Sequence, residues 1–273
     1  MRLIFGSTGL ILFVLGGIAL IPAYATSKDK HVVRDELFPV NVCYNVYLSA
    51  SELRNTFAYE EQTRSFRFDA HRTHSFEGRE IYVYIIGEAS RAMNWQLFGY
   101  ERETNPGLSQ VMDITLFRNV LTQSNTTHKS VPLFLSSVNT DEHPELYRRK
   151  GLPALFREAG FECWFISNQS PQGAMIDNLS EDVDHRIYLN EPRYDIRLKE
   201  TMQRAIEQSR SEKLFFILHC YGSHFSYHQR YPREAAYFQP DPDVAIRKQH
   251  REELRNGYDN SIRYTDYFLT ETI

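Results

Sequence analysis

The chain has 273 residues, 42% hydrophobic and 14% aromatic, and its 31 basic and 35 acidic side chains give a net charge of −4. That composition supports a packed core and excludes a disordered chain. With a slightly acidic balance and no Lys/Arg block, no nucleic-acid partner is expected.

Leu3 to Ile21 carries no charge and is long enough to cross a bilayer as a helix. A signal peptide competes with that reading, because Ala23-Tyr24-Ala25 resembles a cleavage site. Only Arg2 supplies a basic start and the apolar run is long, so a transmembrane helix over residues 1–25 is the stronger expectation. Either reading places the remainder of the chain outside the cytoplasm. Residues 26–79 are mixed and polar and read as a juxtamembrane connector with some helix. Within them, Phe66 to Phe76 is basic and histidine-containing, as in a solvated loop.

Ile81-Tyr82-Val83-Tyr84-Ile85-Ile86 is a continuous apolar run, which predicts a buried strand. Gly87-Glu88-Ala89-Ser90-Arg91 comes next, placing a carboxylate past the strand's carboxyl end, where open α/β sheets keep their ligands. Trp95 to Pro106 is loop-like, and Leu116 to Leu121 is read as a second strand. The polar patch Gln123 to Ser130 precedes Val131-Pro132-Leu133-Phe134-Leu135, so Thr127 falls near the start of a short helix. Leu152 to Ala159 predicts a helix closed by Gly160, and Glu162 to Ile166 the next strand. Asp195 to Ser211 reads as a helix and Leu214 to His219 as a strand. From Ala245, the spacing of Leu254, Tyr258, Ile262, Leu269 and Ile273 marks a final amphipathic helix. Strands alternating with helices predict a parallel sheet with helices on both faces.

Four features carry chemistry. Glu88 is an ordinary loop residue in isolation, but Ser90, Arg91 and Asn94 surround it with polar groups. Thr127 is a weak nucleophile unless a divalent metal favours its alkoxide, and a helix-capping threonine is the bland alternative. His219, Cys220, Gly222, Ser223, His224 and His228 cluster at a strand end, where a histidine can bind phosphate or metal. Asp184-His185 sits in a charged run and is read as a solvated loop. The cysteines Cys43, Cys163 and Cys220 are far apart, which excludes a zinc finger, and the last two read as small buried hydrophobes.

Together these residues resemble the phosphoethanolamine transferases of the bacterial inner membrane, members of the alkaline phosphatase/sulfatase superfamily. Ile85 to Ala92 with Gly99 to Pro106 looks like that family's V-G-E-T-x-R-A…G-Y-x-R-x-T-x-P segment. Thr127-His128-Lys129-Ser130-Val131-Pro132 is similar to its T-A-V-S-V-P nucleophile segment. His219 to His224, then Arg230-Tyr231-Pro232, resembles H-x-x-G-S-H…R-Y-P. Tyr258 to Phe268 resembles Y-D-N-x-I-x-x-T-D-x-F. Four ordered motifs from about residue 80 to the end make the resemblance specific.

The resemblance implies an alkaline phosphatase-like α/β domain over residues 80–273, preceded by one transmembrane helix. It implies Glu88 as a zinc ligand and Thr127 as both zinc ligand and the nucleophile that carries phosphoethanolamine. Asn168 and His224 would hold the substrate head group. The donor would be phosphatidylethanolamine and the acceptor lipid A or another lipopolysaccharide group. The enzyme would sit in the bacterial inner membrane with its catalytic domain facing the periplasm.

Departures from the family pattern shape the expectation. The family's remaining zinc ligands lie in an Asp-His-Gly-Glu motif after the final helix, and no such motif occurs here. Several membrane helices precede the family's domain, against one here. The sequence therefore reads as a domain whose C-terminal part is missing, with weak metal binding and little activity of its own. Gln123 and Leu133 occupy positions held by cysteines in several relatives, and Gln172 stands where some carry a lysine near the substrate asparagine. Another enzyme of the superfamily, such as a phosphoglycerol transferase or a hydrolase, and a non-catalytic membrane-tethered binding domain are the rival readings. Sulfatase chemistry is disfavoured, because Thr127 lacks the C/S-x-P-x-R context.

Overall fold

Four strands line up in parallel in the order β1-β4-β2-β3, where β1 is Glu80–Ile86, β2 Glu162–Ser167, β3 His185–Tyr188 and β4 Lys213–His219. The computed structural model describes residues 40–71, 73, 76–171, 174–191 and 193–273. The chain divides into two compact units, Met1–Phe57 and Ala58–Ile273. For the first, the described residues give one helix, α1 (Val40–Phe57). The expected membrane span Leu3 to Ile21 lies outside the described residues. Among the described residues, no helix is long and apolar enough to cross a membrane.

The second unit adds α2 (Tyr59–Thr63), α3 (Thr127–Phe134), α4 (Leu152–Glu158), α5 (Ala174–Leu179), α6 (Ile196–Gln208) and α7 (Arg251–Thr272). Side chains alternate across a strand, so β2 and β4 feed two separate clusters. Cys163, Phe165, Phe215 and Ile217 point to one face, against Val131, Leu133 and Leu135 in and after α3, and Met175, Ile176 and Leu179 of α5. Ile166, Leu214, Phe216 and Leu218 point to the other, against Leu198, Met202 and Ala205 of α6 and Phe268 of α7. Both faces are covered by helices, which explains why β2 and β4 are apolar between their end residues.

The register sets the rim. Ile86 and Ser167 both pair with His219, so β1, β4 and β2 end level with one another. The loops leaving these three strands therefore emerge together at one edge of the sheet.

Four expectations need correction. β1 is an edge strand, and Ile81, Tyr82 and Val83 are 38%, 47% and 37% exposed. An apolar run predicts a strand but does not say how many neighbours it has. Leu116 to Leu121 forms no strand: Phe117, Val120 and Leu121 are exposed and no ladder receives them. Asp184-His185 is exposed, with Asp184 in a bend, but the pair is engaged rather than a free loop. His185 opens β3, stacks on Trp164 at 3.7 Å and pairs with Glu162 at 3.0 Å, while Asp184 accepts the Cys163 N–H at 2.8 Å. The last helix begins at Arg251, not Ala245, with Glu252 and Glu253 in its first turn.

Candidate active site

Glu88 leaves the end of β1 and Thr127 opens α3. Their side chains meet across 39 residues of sequence, Thr127 Oγ1 donating to Glu88 Oε2 at 2.8 Å. Each is half-buried. Thr127 is the first residue of its helix, and Thr126, the residue before it, makes no side-chain cap. The opening N–H groups of a helix have no intrahelical acceptor and favour an anion. The helix is held by its buried Val131, Pro132 and Leu133, so the hydroxyl is presented from a fixed base.

The backbone of Glu88 is pinned as firmly as its side chain. Its carbonyl accepts the Ser223 N–H at 3.0 Å. Gly222, at φ +55°, comes so close that a Cβ there would stand 2.4 Å from that same oxygen. The next residue, Ala89, lies at φ 51°, and its carbonyl accepts the Tyr258 hydroxyl at 2.9 Å. A sharp left-handed turn between β1 and the loop beyond it thus aims the carboxylate at α3.

Asn168 and His224 flank the pair without bonding to it directly. Asn168 is fully buried and donates Nδ2 to Asp195 Oδ1 at 2.7 Å, while its Oδ1 has no hydrogen-bond partner among the described residues. His224 is exposed; its Nδ1 lies 2.7 Å from the Phe225 carbonyl and its ring packs near Tyr221. Gln172 lies outside the described residues.

The pattern of the Sulfatase family matches residues 80–273. This chain belongs to the sulfatase family. Over 203 residues it is 30% identical to the Kdo(2)-lipid A phosphoethanolamine 7''-transferase of Salmonella typhimurium, covering 71% of this chain and 36% of that protein. Phosphoethanolamine transferase EptC of Escherichia coli is 30% identical over 207 residues, 70% of this chain and 36% of that one. The chain spans about a third of the length of these curated relatives. Among solved structures, the C-terminal periplasmic domain of EcEptC from Escherichia coli, in complex with Zn, superposes with TM-score 0.65 at 26% identity, covering 74% of this chain and 60% of that one. The integral membrane lipooligosaccharide phosphoethanolamine transferase A of Neisseria meningitidis shares the fold with TM-score 0.72 at 22% identity, over 100% of this chain and 52% of that one.

In this sulfatase-family chain, Glu88 and Thr127 present two adjacent oxygens. A catalytic zinc takes three protein ligands or more. Among the described residues no group of three or more His, Cys, Asp or Glu side chains completes such a set.

Three further residues hold the rim together; Gln169 and Asp195 carried no chemical signal in the sequence, whereas His219 stood in the strand-end cluster. Gln169, next to Asn168, donates Nε2 to the Cys220 carbonyl at 2.7 Å and reaches Glu88 Oε2 at 3.5 Å. Asp195 is fully buried and accepts from Asn168 Nδ2, the Tyr221 N–H and the Gly222 N–H at 2.7, 2.9 and 2.8 Å. Burial pushes its carboxyl above the usual range, opposed by those three donors and by Arg230. His219, at the end of β4, is held by burial down to about 4. Its Nε2 faces the Gln169 amide nitrogen at 3.1 Å and its Nδ1 faces Ser167 Oγ at 3.2 Å. An amide nitrogen only donates, so the neutral ring keeps its proton on Nδ1. Burial raises the Cys163 thiol to about 12 and Cys220 well above its ordinary value, as expected for inert buried thiols.

Proposed function

We propose that this chain carries the phosphoethanolamine-transfer chemistry named for its relatives, with Thr127 as the nucleophile and Glu88 as its partner. The supporting observation is the 2.8 Å hydrogen bond between Thr127 Oγ1 and Glu88 Oε2 at the head of α3. Thr127 Oγ1 attacks the phosphorus of phosphatidylethanolamine. A threonine O–P bond forms, the bond from phosphorus to the diacylglycerol oxygen breaks, and diacylglycerol leaves with a proton. Glu88 Oε2 already faces the proton that Thr127 must lose. An oxygen of lipid A or another lipopolysaccharide group then takes the phosphoryl group and regenerates Thr127. The free N–H groups at the start of α3 favour the negative charge on the transferred group.

A zinc ion would be held on this chain by Glu88 and Thr127, and when bound would favour the threonine alkoxide and draw charge from the phosphoryl oxygens. The partnerless Oδ1 of Asn168 is an acceptor suited to the ammonium of the head group, and exposed His224 to its phosphate. In this reading residues 80–273 are the catalytic part, Leu3 to Ile21 the anchor in the bacterial inner membrane, and the domain faces the periplasm.

Covalent capture is the right test, because it needs one turnover only. The protein is incubated with phosphatidylethanolamine and zinc, and peptides are mapped by mass spectrometry. A phosphoethanolamine adduct on Thr127, absent from Thr127→Ala and reduced in Glu88→Gln, is the expected result. An unmodified Thr127 overturns the transfer reading and leaves a binding domain.

A further inference from the structure

A cavity of about 1070 Å³ opens beside Ala89, and neither Glu88 nor Thr127 lines it. Its walls come from the loop after β1, including Arg91, Asn94, Tyr100 and Arg102, from Tyr227, and from the first two turns of α7. Four arginines face it, in two different states. Arg102 is matched by Asp259 at 2.7 Å and Asn256 at 2.6 Å. Arg255 is matched by Glu101 at 2.5 Å and by the Tyr100 hydroxyl at 2.9 Å. Arg91 bonds only the neutral Asn94 side chain, at 2.8 Å, with its guanidinium 5.8 Å from the Tyr258 ring centre. Arg251 makes no ion pair or side-chain hydrogen bond among the described residues. Against these two cations the same wall carries one further carboxylate, Glu252. The N-terminal end of α7, a 22-residue helix, adds its positive pole.

This surplus calls for an anion. The volume exceeds what a phosphate or an ethanolamine phosphate fills, and lies at the top of the range for whole small-molecule sites. Tyr100, Tyr227 and Tyr258 add aromatic surface of the kind that packs against a sugar. The cavity is also tied to the reacting pair, since Tyr258 in its wall bonds the carbonyl of the residue after Glu88.

We propose that this cavity is the acceptor subsite, in which Arg91 and Arg251 grip a phosphate monoester carried on a membrane glycolipid's saccharide. Guanidinium groups suit this role because they take phosphate oxygens in pairs. The proposal rests on the transfer reading for its purpose, but its test does not depend on transfer.

The titrand is Thr127→Ala, which cannot form the adduct, so binding is read without covalent capture, and the arginine substitutions assign it to the cavity. Calorimetry compares glucosamine 1-phosphate, glucosamine and inorganic phosphate. The sugar phosphate is expected to bind, glucosamine not, and inorganic phosphate about tenfold more weakly than the sugar phosphate. Adding Arg91→Gln and Arg251→Gln, both at exposed positions, should weaken the sugar phosphate by about tenfold or more, with partial recovery in the Lys pair. Lipid A and its dephosphorylated form, each in detergent micelles, then compete against glucosamine 1-phosphate. Displacement by the phosphorylated lipid alone identifies a glycolipid ligand. No sugar-phosphate binding, equal binding of inorganic phosphate, undiminished affinity in the Gln pair, or failure of lipid A to compete each overturns the proposal.

Discussion

A Cβ on residue 222 would meet the Glu88 carbonyl oxygen at 2.4 Å and sit at φ +55°. Gly222→Ala is therefore expected to cost at least about 2 kcal/mol, from the left-handed backbone and from pushing on Glu88. Ala89 makes the reverse case: it already holds φ 51° without being glycine. Ala89→Gly should gain about 0.5–1 kcal/mol, the strain relieved less the entropy added to the unfolded chain. Urea midpoints of the two variants, moving in opposite directions, check both. Asp195→Ala would leave the Asn168 amide and two backbone N–H groups without their acceptor, and should lower stability by about 3 kcal/mol or more in the same measurement. At this scale the sequence was legible where position carried meaning. Glu88 followed a strand and Thr127 opened an apolar helix, so their places in the fold could be read from local pattern. Asp195 could not, since an aspartate just before a helix reads as an N-cap. Its carboxylate makes no cap bond here and instead stitches the loops after β2 and β4. Gln169 has no local pattern at all, because its contacts come from a neighbouring strand.

Elements were legible by period and less so by neighbourhood. β2, β4 and α4 lie where apolar runs and Gly160 placed them. Sheet order is a long-range property, which is why β1 reads as buried and lies at the edge. α7 shows how a motif can serve structure. Asp259 accepts from Asn94, Tyr100 and Arg102; Asn260 accepts the Tyr237 and Phe238 N–H groups; Asp266 accepts those of Gly107 and Leu108. The polar residues of the Tyr258 to Phe268 segment thus fasten two long connections, β1 to α3 and β4 to α7, to one helix. The end of β4 makes a pH prediction. His219 is held down to about 4 by burial, against 6.5 ordinarily, so the unfolded chain binds the extra proton first as pH falls. Stability from this group is fully present above pH 6.5 and is lost as pH drops toward 4. The difference corresponds to about 3 kcal/mol. Denaturation midpoints across that window should fall with acid, and His219→Asn should flatten the slope.

At the largest scale, the second unit is a partition. The sheet separates two hydrophobic clusters, and its level rim gathers Glu88, Asn168, Gln169 and the loop to His224. That gathering results from parallel strands of matched register. It is the part of the site that an alternation of strands and helices already foretold. The segment after the rim loop behaves differently. Met112, Phe117, Val120 and Leu121 are 94%, 73%, 73% and 89% exposed, within fifteen residues of Thr127 by sequence number. Uncovered oily side chains so close together make a polypeptide adhesive. Light scattering should rise with concentration in plain buffer and subside on adding mild surfactant. Phe117→Ser with Leu121→Ser should abolish most of that clumping while leaving the melting temperature in place.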